Sequence, residues 1–295
     1  MKQKLFTLAS LKKLFLLIFF VPNIVGKNEE FIMSQKNTES VYSQVFVDLV
    51  EFVYGEGFLS QGGEESVDFM LEGIDLDGKK ILDIGSGLGG VDFYLAKKHA
   101  VDIIGVDTED FIIERARERL AKIAPKLKGS VQFLSEGPHD YLKQFDDETF
   151  DIVFSKETIL HIPLEDKITY FQQVNRILKK GGKIVIMDWM HTTGDYSKDL
   201  QWMIETDGIP YNLVTLDQYK NILSAANFKN VQFINTTEEN TRLSKEDCET
   251  VRASKDELEK KFGKDVYEEY LESWIMQWKL FESGELVTGI FKAEK

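Results

Sequence analysis

"ILDIGSGLGG", residues 81–90, sets an apolar strand against glycines at 85, 87 and 90, the G-x-G-x-x-G spacing of a dinucleotide-binding loop. Gly85 and Gly87 allow a tight turn and a close backbone approach to a ligand, and the helix that follows points its first N–H groups into the same space. The pattern leaves open whether the loop cradles a pyrophosphate or a ligand with no phosphate. Turn glycines in any α/β protein would read alike.

Outward from the loop, "KILDIG" is followed by helical "GGVDFYLAKKH", then by "VDIIGVD", the charged helix "DFIIERARERLAKIAPKL", "VQFLS", "FDIVFS" and "LEDKITYFQQVNRILKK". Gly181 and Gly182 then introduce "KIVIMDW". Strands and helices alternating in this rhythm, with strands apolar almost throughout, predict a parallel sheet covered by helices on both faces. Past Asp188, "TLDQYKNILSAANF" reads as a helix and "KNVQFINT" as a sixth strand. Residues 241–283 form a charged helical insertion and "ELVTGIFKAEK" a returning edge strand. Residues 33–79 read as a helical cap ahead of a ligand-binding domain at 80–295.

Composition narrows the function. The 295 residues are 43% hydrophobic and 29% charged, with 36 basic against 50 acidic residues and a net charge of -14. Such a field repels polyanions, so a small molecule, and no nucleic acid, is the expected partner. Cys248 is the single cysteine, so no intrachain disulfide forms; with only four histidines as well, no metal site is expected. The Lys/Glu-rich stretch 254–269 reads as a solvated helix face.

The start is different. Residues 1–32 carry lysines and then an apolar run from Leu14 to Val21, which reads as a secretory signal, a short membrane anchor or an extension upstream of a start at Met33. The run is short for a membrane-spanning helix, so no stable insertion is expected beyond such an anchor. A cytoplasmic protein is the first expectation, and an anchored or exported one the alternative. The oligomeric state stays open, with a monomer favoured.

Two acids sharpen the loop. Asp107 ends the second strand, about 20 residues past the glycines, where a carboxylate can bond both ribose hydroxyls of an adenosine or cap the next helix. Asp83, inside "LDIG", is costly to bury unless the loop or a positive charge meets it. A cationic ligand would meet that need.

"ILDIGSGLGG", "GVD", "FDIVFS" and "LKKGGKIVIMDW" together resemble the successive motifs of class I S-adenosylmethionine-dependent methyltransferases over about residues 80–190. The resemblance implies a Rossmann-like α/β fold with a mostly parallel seven-stranded sheet, and a loop wrapped around the methionine part of S-adenosylmethionine. "YGEGFLSQGGEES" at 54–66, "FSKETILHIP" at 154–163 and "MDWMHTT" at 187–193 are similar to segments of phosphoethanolamine N-methyltransferases and their bacterial small-amine relatives. That likeness carries a catalytic pair to Tyr42 and His161, with His161 as general base. It carries cofactor contacts to Ser60, Gln61, Asp83, Gly85, Ser86, Gly87, Asp107, Thr108 and Ser155. An adenine-binding acid falls in "SEGPHD", at Glu136 or Asp140, and Glu136 is the one adopted.

The chemistry of the side chains agrees with such a pair. Methyl transfer to an amine needs a proton acceptor near neutral pH, which an imidazole supplies and a tyrosine hydroxyl can orient. Glu157 can contact a substrate ammonium and Trp189 can stack on it, with Tyr211 as a further substrate contact. Glu205 and Ile209 stand where the relatives' Tyr and Arg would hold a phosphate, and only Lys279 remains near the C-terminus. Phosphate recognition is therefore expected to be weakened, leaving glycine, sarcosine or ethanolamine-like amines as candidates. A nicotinamide oxidoreductase and a binding protein without catalysis are the alternatives.

Overall fold

The computed structural model describes residues 42–135, 141–192 and 195–295. The signal-like residues 1–32 and the acids Glu136 and Asp140 lie outside that range.

Helix α1 (Gln44–Tyr54) starts at Ser43, whose hydroxyl accepts from Phe46 N at 3.0 Å, and ends at Gly55. Helix α2 (Gly63–Met70) follows. The alternating core is β1 (Lys80–Ile84), α3 (Gly90–Lys98), β2 (Asp102–Asp107), α4 (Asp110–Ile123), β3 (Ser130–Ser135), β4 (Phe150–Lys156), α5 (Leu164–Ile177) and β5 (Leu178–His191). Helix α6 (Lys198–Asp207), capped by Ser197 and stopped by left-handed Gly208, was not foreseen. Helix α7 (Leu216–Ala225) opens on a capping box of Thr215 and Gln218 and leads to β6 (Lys229–Asn235). Three helices, α8 (Thr237–Ala253), α9 (Lys255–Phe262) and α10 (Lys264–Glu282), precede β7 (Leu286–Glu294).

The sheet order is β3-β2-β1-β4-β5-β7-β6. Strands β1 to β5 pair in parallel, while β7 runs antiparallel to both β5 and β6, so the sheet is mixed. The expectation of an edge position for the last strand is corrected: β7 lies between β5 and β6. Alternation misled because both faces of β7 are covered; Thr288, Ile290 and Phe291 are each 0% exposed, whereas β6 has the exposure of an edge.

Successive strand residues feed opposite layers, as the two-residue period of a strand requires. Leu82, Val153, Ile184, Ile186 and Phe291 pack under α5 and α7. Ile81, Ile152, Phe154, Val185 and Ile290 pack under α2 and α3. Each such side chain contributes about 1.5–3 kcal/mol on full burial. A separate cluster joins Leu49 and Val50 of α1 to Cys248, Val251, Leu258, Tyr267 and Trp274 of α8 to α10. The N-terminal cap and the insertion thus form one layer, although nearly 200 residues of chain lie between them.

Candidate active site

Strands β1 and β4 are neighbours whose connections leave in opposite directions, and in open α/β sheets ligands bind at the carboxyl ends of such a pair. A cavity of about 410 Å³ opens there. Its first wall is the glycine loop. Gly85 N and Ser86 N donate to Val106 O at 2.8 and 3.0 Å, which folds the loop back over β2. Gly85 has φ +74°, and a Cβ there would collide with the Thr158 side chain, so only glycine fits. The Ser86 hydroxyl is buried in this wall without a protein partner. Asp107 does two jobs: one carboxylate oxygen accepts from Gly87 N at 3.0 Å, and the other accepts from Glu109 N at 3.1 Å. Burial pushes its carboxyl up to about 6, against the pull of these backbone N–H groups. Asp107 and Thr108 both border the cavity.

Asp83 also faces the cavity, and burial raises its carboxyl, with Lys156 among the groups pulling the other way. Behind it, burial and the charge of Asp83 drive Asp92 well above the carboxylate range, because two buried carboxyls side by side do not both ionise. Lys156, which sequence reasoning did not single out, is 6% exposed and donates to Ser60 Oγ at 2.9 Å and to the Gln61 carbonyl. It is the positive charge that the reading of Asp83 called for.

Two expected cofactor contacts, Gln61 and Ser155, do not line the cavity. The Gln61 side chain turns away from the cavity into α8, donating to Asp247 Oδ2 at 2.5 Å and Ser244 Oγ at 3.1 Å and accepting from Asn240 Nδ2 at 2.9 Å. Those partners lie about 180 residues on and give no local signal. Ser155 is fully buried, and its hydroxyl donates to Ile84 O at 3.0 Å, fastening β4 to β1.

The opposite wall holds the pair. His161 Nδ1 lies 2.9 Å from Pro210 O, and since a carbonyl only accepts, Nδ1 carries the proton and Nε2 the lone pair. Nε2 faces Tyr42 Oη at 3.5 Å. Burial lowers the imidazole to about 4, with Lys167 adding to the shift and the Pro210 bond opposing it, so the ring is neutral at pH 7. Burial, then Asp107, Glu109, Asp207 and Glu157, push the Tyr42 phenol far up, so it stays protonated. The short turn Ile159–His161 is gripped on both sides. Lys167 Nζ donates to Ile159 O at 2.5 Å, and Leu160 N donates to Asp188 Oδ1 at 3.3 Å.

Glu157 sits in left-handed backbone at φ +54°, a conformation that costs a non-glycine residue about 1 kcal/mol or more and turns its carboxyl into the cavity. Burial raises that carboxyl, with Lys156 and the Trp189 indole opposing. Neither Glu157 Oε1 nor Trp189 Nε1 closes a hydrogen bond within the protein. Tyr211 stands between the pair and Trp189, its ring centroid 5.5 Å from His161 and 5.8 Å from Trp189. The cavity therefore brings together twelve of the sequence-expected positions: Tyr42, Ser60, Asp83, Gly85, Ser86, Gly87, Asp107, Thr108, Glu157, His161, Trp189 and Tyr211.

Ile209 borders the cavity as expected, but Glu205 does not: it is exposed on α6, and the acid that faces inward is Asp207. Residues two apart on a helix point to nearly opposite sides, so reading the segment without its helix chose the wrong carboxylate. Lys279 is likewise exposed, while Gln277 borders the cavity. The aromatic stripe of α10 packs as read, Phe281 against Trp189 at 5.2 Å, though Trp274 also reaches the cavity and donates to Tyr54 Oη at 3.0 Å. Among the described residues no cluster of acids, histidines and cysteine is set to hold a metal, and no helix is long and apolar enough to cross a membrane.

The chain is similar to known proteins. Residues 75–227 match the family described as a methyltransferase domain. The chain is 35% identical over 246 residues to phosphoethanolamine N-methyltransferase 3 of Arabidopsis thaliana, covering 83% of this chain and 48% of that one. It is 30% identical to the phosphoethanolamine N-methyltransferase of Plasmodium falciparum, covering 86% of this chain and 93% of that protein. The chain thus spans about half the length of the plant relatives it matches and nearly all of the Plasmodium one. In fold it is similar to Haemonchus contortus phosphoethanolamine N-methyltransferase 2 in complex with phosphomonomethylethanolamine and S-adenosylhomocysteine. That likeness has a TM-score of 0.77 at 24% identity and covers 93% of this chain and 62% of that one.

Proposed function

Because the chain belongs to the class I S-adenosylmethionine-dependent methyltransferases, with phosphoethanolamine N-methyltransferases among its relatives, we propose that it methylates the nitrogen of a small amine. One observation carries this reading: a single cavity joins the glycine loop and Asp107 to the facing side chains of Tyr42 and His161.

The residues present fit the cofactor. The cradle at Gly85 tolerates no side chain, the Ser86 hydroxyl beside it has no protein partner, and Asp107 keeps carboxylate lone pairs beyond its two backbone bonds. Asp107 and Thr108 would hold the ribose, while Asp83, Gly85, Ser86, Gly87 and Ser60 would hold the amino-acid end. When bound, S-adenosylmethionine supplies a methyl group on a positively charged sulfur.

The chain's own work is positioning and proton handling. Glu157 and the Trp189 face present a carboxylate and a π-surface to an amine, which favours a positively charged nitrogen in the cavity. His161, locked with Nδ1–H on Pro210, offers the Nε2 lone pair to the proton that the amine gives up, directly or across the Tyr42 hydroxyl. A ring held to about 4 is a weak base, so it takes that proton only transiently. Lys167 and Asp188 keep the turn beneath it from shifting. Family membership removes the ground for a nicotinamide enzyme, and we assign the reaction to the cytoplasm, where the cofactor is made.

The test is incubation with methyl-labelled S-adenosylmethionine and a panel of ethanolamine, glycine, sarcosine and phosphoethanolamine, read by mass spectrometry. Label on the nitrogen of any of them supports the reading. Tight binding of S-adenosylhomocysteine with no labelled amine would leave a binding protein instead.

A further inference from the structure

Among the described residues the cavity wall carries five carboxylates, Asp83, Asp107, Glu109, Glu157 and Asp207, against Lys156 and His161, and no arginine. Three of the acids flank the glycine loop and the end of β2, which leaves Glu157 and Asp207 to the half of the cavity that holds His161 and Tyr211. Lys156 is committed to Ser60 and the Gln61 carbonyl, and His161 is neutral. Among the described residues, that half of the cavity therefore offers an anion no free cation.

Asp207 is the last residue of α6, held in place from two directions. Ser273 of α10 donates to Oδ1 at 2.6 Å, and the Tyr211 hydroxyl donates to Oδ2 at 3.0 Å. Each oxygen keeps a lone pair beyond these bonds. Asp207 lines the cavity with Tyr42, Tyr54, Tyr211 and Tyr270, and burial raises its carboxyl, with the Ser273 and Tyr211 hydroxyls opposing. A carboxylate set among aromatic faces is a site for a positively charged or hydroxyl-bearing group.

Resting on the methyltransferase reading, we infer that Asp207 is a specificity-determining residue that receives a second hydrogen-bond donor of the acceptor. The acceptor is thus an amine whose other end is an ammonium or a hydroxyl, and not a phosphate or carboxylate. The methylated nitrogen lies toward His161 and Glu157. The second donor reaches Asp207 past the Tyr211 ring, which already links the two places. Because Ser273 lies on the insertion, a change in α10 that moves this hydroxyl alters acceptor choice without touching the glycine loop.

Isothermal titration of the S-adenosylhomocysteine-saturated protein tests this, with 1,2-diaminoethane, ethanolamine, phosphoethanolamine and glycine as probes. The first two bind at least about tenfold more tightly than the last two, and which of the first two leads tells ammonium from hydroxyl. Asp207→Asn weakens the better of them by about ten- to a hundredfold, Asp207→Glu recovers part of the loss, and S-adenosylhomocysteine affinity holds in both variants, which shows that they fold. Tighter binding of phosphoethanolamine or glycine, or an Asp207→Asn variant that binds the amines like the parent, overturns the inference while leaving the methyltransferase reading in place. Absence of S-adenosylhomocysteine binding overturns both.

Discussion

The two ends of the cavity are built in different ways. At the glycine loop the hydrogen bonds of Gly85, Ser86 and Gly87 are local to one strand–loop–helix unit and its neighbour: they close on Val106 and Asp107, about 20 residues away. At the other end Tyr42, His161, Asp207 and Ser273 come from the residue before the cap of α1, the turn after β4, α6 and α10. The loop end is rigid, glycine-limited and tied to the sheet. The far end is assembled from loops and helices far apart in the chain. The comparison explains how a chain can share a cofactor frame with its relatives and still differ in what it accepts.

Gly85→Ala probes that contrast most severely. A left-handed alanine forced against Thr158 costs about 2–5 kcal/mol, and the thermal midpoint and the affinity for S-adenosylhomocysteine should both collapse. Were the variant to bind normally, the loop would not be the constraint described here. Asp107→Ala removes two backbone bonds and the ribose contact, so calorimetry should find affinity for S-adenosylhomocysteine weaker by about 1–3 kcal/mol; an unchanged value would move the ribose site elsewhere.

Cofactor affinity should also carry a pH signature from the loop end. Burial raises Asp107 to about 6, and ribose hydroxyls bound there, as proposed, would favour its ionised form. The Asp107 contribution to S-adenosylhomocysteine affinity is therefore full above about pH 6 and falls, by at most about tenfold per pH unit, as the carboxyl protonates below it. His161, neutral down to about 4, contributes nothing over that window, so any limb of kcat/KM near pH 6.5 that vanished in a His161 variant would contradict its low basicity. The smallest effect belongs to Ser155→Ala. Loss of the bond to Ile84 O costs about 1 kcal/mol of stability, read from the thermal midpoint, with S-adenosylhomocysteine affinity unchanged.

The same contrast marks what could be read from the chain. Alternating apolar runs placed β1 to β6 and the glycine loop, because strand periodicity and turn chemistry are local. Asp107 was legible for the same reason. The position of β7 between two strands was not, since a strand covered on both faces and an edge strand can share one alternation. That the Gln61 and Ser155 side chains bond elsewhere than the cavity was not legible, because their partners, Asn240, Asp247 and Ile84, are fixed by tertiary packing and not by spacing. Lys156 had a sequence signal that went unused: a lysine closing an otherwise apolar strand is costly unless it is paired. Asp207 needed α6, because only the helix decides that 207 and not 205 turns inward.

The central claim is that the two ends work separately, one holding the cofactor and the other handling the acceptor's proton. The most direct measurement takes turnover on the best amine and S-adenosylhomocysteine affinity side by side in His161→Ala. The account predicts turnover lower by about 10²–10⁴-fold with affinity within about twofold of the parent. Affinity that falls in step with turnover would mean that His161 supports the cofactor cradle, and the division of labour proposed here would be wrong.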